Sequence, residues 1–146
     1  MIRQKLLESA ENLPTVSPNA AGAFATATLA IAAELNRRMG QRPDLEKLIG
    51  PGNQAMMEDN SRNFLRFMAT MCLHFHPEVL VDTALWAFRT YRAHGFQVIY
   101  WPANIDTTLE IAREQLPPEV FAEVEPMFVW LIVNIPRFEA AINPKP

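Results

Sequence analysis

The chain has 146 residues, a formal net charge of −3, and is 49% hydrophobic and 20% charged. That balance excludes an extended disordered chain, and at this length about two-thirds of the unfolded surface is buried on folding, enough for a single domain with one core over residues 1–146. One cysteine, Cys72, excludes a disulfide framework, five glycines leave no place for a glycine-rich phosphate cradle, and the acidic balance argues against nucleic acid as a partner.

The first segment, MIRQKLLESAENLP, is interrupted by Glu8 and Glu11 and so lacks a signal-peptide core. It predicts a helix over Ile2–Asn12 ended by Leu13-Pro14, with residues 1–18 as N-terminal helix and connector. Ser17-Pro18 then opens a longer helix, Asn19–Met39, stopped at Gly40. Its Ala20–Ala33 stretch is apolar but shorter than the roughly 20 residues a bilayer requires, and Glu34, Arg37 and Arg38 follow directly. The expectation is a cytoplasmic protein with no membrane partner. Ala20, Ala23, Ala27 and Ala30 predict a small-residue side open to close approach of another helix or of a second copy.

Pro43–Ile49 predicts a short helical piece closed by Gly50-Pro51-Gly52. The next helix, Gln54–Phe75, carries an apolar stripe of Phe64, Met68, Met71 and Phe75, with Glu58 and Arg62 spaced to pair on the wet side. Pro77 begins a helix to His94, with Leu80, Ala84, Phe88 and Tyr91 inward and Gly95 as its stop. FQVIYW (96–101) is β-branched and aromatic enough for a buried strand, its length leaves a short extended or turn-like entry and a helical one equally open, and a helix over Trp101–Gln115 follows. The last predicted helix runs from Pro118 to Asn134 with Val120, Val124, Phe128, Leu131 and Ile135 on its face; Pro136 is read as its stop, and Pro126 as a kink. The fold class is therefore all-α, a single domain of six or seven helices.

From Asn60 onward the order of elements resembles the globin-like fold, through FLRFMATM (64–71), ALWAFRTYRAHGF (84–96), Tyr100, and the corner AREQLPPEVF (112–121). The resemblance implies globin-like packing rather than a simple bundle. In haem globins a proximal histidine lies one turn ahead of the corner glycine; here that position is Tyr91, and His94 is adjacent to Gly95. The pattern is thus similar to the haem-less sensor branch or the phycobiliprotein branch of the fold. Phycobilin attachment needs a Cys-Leu-Arg-Asp-like setting, whereas Cys72 is followed by Leu73-His74-Phe75, without the gripping arginine and aspartate.

No catalytic motif or metal-ligand spacing emerges, and the carboxylates read as solvated helix faces, so the expectation is a non-enzymatic regulatory or sensory domain. It takes no cofactor and binds a small apolar ligand or a protein partner in a pocket lined by Phe64, Met68, Met71, Trp86, Tyr91 and Trp101. Met127–Val133 is apolar all the way round, which points to a homodimer. Two alternatives stand beside this reading. One is a haem or tetrapyrrole carrier using His94, and the other a purely structural dimeric interaction module.

Overall fold

Eight helices make up the regular structure among residues 1–143, which the computed structural model describes. They are α1 (Ile2–Glu11), α2 (Pro18–Gly40), α3 (Leu45–Ile49), α4 (Gln54–Leu73), α5 (Pro77–Ala93), α6 (Tyr100–Gln115), α7 (Pro118–Val133) and α8 (Ile135–Ile142). No strand occurs among these residues, and no helix is long and apolar enough to cross a membrane.

The eighth helix corrects the reading of Pro136. A proline blocks a helix only where its missing N–H or its ring meets a preceding turn; in the first turn neither is a penalty. α7 ends at Val133, and Asn134 donates from Nδ2 to the Trp130 carbonyl at 2.8 Å. Pro136 then sits in the first turn of α8, which places Phe138 wholly inside. Pro126 lies within α7, and the helix continues through it. α4 closes at Leu73 rather than Phe75, because the residues ahead of Pro77 are pushed toward extended backbone. Phe75 consequently leaves the stripe and is 38% exposed. Residues 96–97 are irregular and 98–99 form a turn, with no strand, and α6 starts at Tyr100. Arg62 pairs with Asp59 one turn back, not with Glu58, whose carboxylate is near Gln54.

α2 is the central helix, packed against α4, α6 and α7. Its inner face is Phe24, Ile31, Leu35 and Met39, all fully buried, rather than the small-residue side: Ala20 is buried but Ala30 is exposed. A second group consists of α1 and α8 against α5. Polar contacts tie these groups at their edges. Ser17, the N-cap of α2, accepts the Ala20 N–H at 3.2 Å while its own N–H and hydroxyl reach Glu123 of α7 at 2.8 and 3.1 Å. Arg38 of α2 holds Glu34 at 2.7 Å and Glu114 of α6 at 2.6 Å. Arg3 of α1 forms a bidentate pair with Asp82 of α5 at 2.8 and 3.0 Å, and Trp130 Nε1 donates to Ser9 at 2.9 Å.

The arrangement leaves α4 and α5, neighbours in sequence, only sparsely packed on one another, because each is held by other helices. The gap between them is the origin of the pocket described next.

Candidate functional site

α4 contributes Asn60, Phe64 and Met68 to the pocket wall, spaced four residues apart and therefore on one face. α5 supplies Ala84, Ala87, Phe88 and Tyr91 opposite, with Trp86 at the rim. Trp101 and Ile105 of α6 and Leu131 of α7 close the inner end. The two alanines on α5 have short side chains where larger ones would fill the space. The resulting cavity has a volume of about 170 Å³ and a predominantly apolar lining.

Five of the residues singled out from the sequence thus face one space: Phe64, Met68, Trp86, Tyr91 and Trp101. Met71 does not. It is buried one turn further along α4, where three residues beyond Met68 the helix surface has rotated into the core.

The aromatic wall is held by ring contacts from behind. Phe88 and Trp101 stack with centroids 4.8 Å apart, and Phe88 is backed by Phe138 at 4.9 Å. Tyr91 meets Trp101 edge-on at 5.9 Å, and Phe64 meets Phe128 edge-on at 5.7 Å. Trp86 differs: it is 56% exposed, with only Tyr91 as ring neighbour at 6.5 Å. A large indole left at the mouth of an apolar pocket is the wall element most able to move.

Beneath the wall lies a buried polar knot. The Tyr100 hydroxyl accepts from Asn60 Nδ2 at 3.2 Å and Asn104 Nδ2 at 2.9 Å, and Thr108 donates to the Asn104 carbonyl at 2.8 Å. Full burial drives the Tyr100 phenol far up, so it stays protonated. Burial, and then the charge of Asp59, also raise Tyr91. Asn60 was not legible as a site residue by chemistry alone, yet the signal existed: it is the polar member of the stripe that continues through Phe64 and Met68.

The other chemistry-bearing residues lie elsewhere. His94 caps the C-terminus of α5, is exposed, and does not line the cavity; its carbonyl accepts from Asn53 Nδ2 at 2.7 Å. His74 and His76 are exposed in the α4–α5 connection. Cys72 is buried, and burial pushes its thiol up to about 11. Among the described residues no three His, Cys, Asp or Glu side chains gather to hold a metal. No known protein family, curated protein or solved structure matches this chain.

Proposed function

We propose that this chain is a non-enzymatic regulatory or sensory domain of globin-like packing that binds a small apolar ligand between α4 and α5 without haem. The observation that carries this reading is the aromatic cavity of about 170 Å³. An apolar cavity of about 150 Å³ accommodates a benzene ring, so the space suits a single ring and not a macrocycle built from several. For the haem alternative, the residues present fit poorly. His94 is outside the cavity, and Tyr91, the lining residue able to ligate iron as a phenolate, has its phenol raised by burial.

Sensing would act through the helix pair. α4 is anchored on α2, and α5 on α1 and α8, so a ligand touching both α4 and α5 favours the arrangement in which both walls are in contact. The shift it produces is bounded by its difference in affinity for the two arrangements. Titration with toluene, followed by tryptophan emission and by amide resonances of Ala84 and Ala87, tests the reading. Saturable changes confined to the pocket support it; none up to the solubility limit removes it. Addition of haem with no Soret band removes the haem alternative, and a bound spectrum restores it.

A second reading is a dimeric interaction module in the cytoplasm. On α7, Met127, Phe128, Trp130 and Leu131 are buried in the monomer, but Val129 and Val133, one turn apart, are 39% and 65% exposed. Leu29 on the adjoining α2 is also exposed. Sedimentation of the wild type beside Val133→Lys distinguishes this reading: a dimer dissociated by the lysine supports it, and a monomeric wild type ends it.

A further inference from the structure

We infer that this chain pairs with a second copy of itself along α7, the two α7 helices running antiparallel across a two-fold axis at Val129. The inference rests on the dimeric reading above and adds the sense and register of the pairing. Val120, Val124, Phe128 and Leu131 turn one side of α7 into the core. The opposite side carries Ala122, Pro126, Val129 and Val133, spaced by four, three and four residues and none of them buried. A two-fold axis makes residue i of one copy meet j of the other while j meets i. The row is nearly symmetric about Val129, so Val129 meets its own counterpart while Pro126 and Val133 meet each other across the axis.

Charge and shape both select the antiparallel sense. Glu119, in the first turn of α7 and three residues ahead of Ala122, has no cationic partner among the described residues. At the other end Arg137 has no carboxylate partner among the described residues, and its Nη1 donates to Asn134 Oδ1 at 2.8 Å, which holds the guanidinium at the end of α7. Antiparallel helices set Glu119 of each copy toward Arg137 of the other, whereas parallel helices would set Glu119 against Glu119. As for shape, α2 runs alongside α7 in the same direction: Ser17 meets Glu123 at 2.8 Å, and Phe24 meets Phe128 with ring centroids 5.9 Å apart. Leu29 and Val133, each five residues further on and 68% and 65% exposed, form a bulky end. Ala122 and Pro126 form a small one, and the antiparallel sense seats bulk on the small end in both copies. At 16 residues α7 is about 24 Å long, so a contact along one helix belongs to the small class of interfaces, and the dimer exchanges with monomer.

Sedimentation of the wild type over a concentration series up to about 1 mM reads the assembly, and single cysteines read its register. Val129→Cys should form an interchain disulfide on mild oxidation, because the axis brings the two copies of that position together. Ala122→Cys should not: it lies seven residues from the axis, so its two copies are about 20 Å apart in the antiparallel pair. Cys72 is buried and leaves the background silent. Glu119→Arg and Arg137→Glu should each weaken the dimer about threefold to tenfold, and the two changes together should restore the wild-type Kd. A monomer throughout the series overturns both the inference and the dimeric reading. A dimer in which Ala122→Cys cross-links, or Val129→Cys does not, overturns the inference alone. If Val129→Cys disturbs the fold, the charge variants decide: single changes without effect, or a double variant that does not recover, overturn the inference.

Discussion

The Asn60 side-chain nitrogen lies 3.2 Å from the Tyr100 hydroxyl, joining α4 to the start of α6 across 40 residues of sequence between two buried side chains. Tyr100→Phe keeps the ring and removes the oxygen that two amide donors share. Stranding buried donors costs about 1–3 kcal/mol, so the variant should lose about 2 kcal/mol. The urea midpoint should fall with an unchanged slope. A midpoint equal to wild type would mean that the two amides find other partners.

Trp86 and Met68 line the same cavity but differ in burial, 56% against 0% exposed. Trp86→Ala should leave stability within about 0.5 kcal/mol of wild type while weakening ring binding, because the lost contacts exist mainly with ligand present. Met68→Ala should cost about 2–4 kcal/mol and enlarge the cavity, shifting preference toward a larger ring. Denaturation curves and toluene-against-naphthalene titrations of both variants check the contrast.

Cys72, with its thiol pushed up to about 11, holds roughly one part in a thousand as thiolate at pH 8. Iodoacetamide should therefore modify the native protein far more slowly than the urea-unfolded chain, where the thiol titrates normally. Similar rates in both states would show that α4 opens locally around Cys72.

Glu34 accepts from Arg37 and Arg38, and these bonds lower its carboxyl to about 2 from an ordinary 4.5. Its folded value is depressed, so its contribution to stability is present above pH 4.5 and is lost as pH falls toward 2. The stability gap between wild type and Glu34→Gln should be constant near neutrality and close across that interval. The site is solvent-facing, so added salt should narrow the gap at pH 7.

Gly50 and Gly52 both adopt positive φ, +84° and +78°, but their surroundings differ. A Cβ on Gly52 meets open space, whereas one on Gly50 would lie 3.3 Å from the Gly95 carbonyl oxygen and from Asn53 Nδ2. Gly52→Ala should cost about 1 kcal/mol of backbone strain, and Gly50→Ala more, since it also pries apart the clasp that Asn53 makes with Ile49 and His94. Thermal midpoints of the two variants give the comparison.

Much of the helix pattern was legible along the chain because its causes are local. Ser17-Pro18 and Pro77 announce helix starts through capping and fixed φ, and Val120, Val124, Phe128 and Leu131 recur at the helical period that puts them inside. Pro136 was misread for a reason equally local in appearance. The same residue ends one helix or opens another, depending on whether the chain has already turned at Asn134, and that turn is stabilised by contacts to Trp130.

What the sequence determined by itself was an all-helical chain, most of its helix starts, and five of the six anticipated wall residues, four from α4 and α5 and Trp101 from α6. What tertiary structure decided was which parts of the apolar stripes meet. Met68 faces the cavity and Met71 the core, although both lie on the stripe, because α4 is held by α2 while α5 is held by α1 and α8. Periodicity states which side of a helix is dry. Whether that side meets another helix, an empty space or a lone carboxamide depends on non-local packing, which no window of neighbouring residues contains.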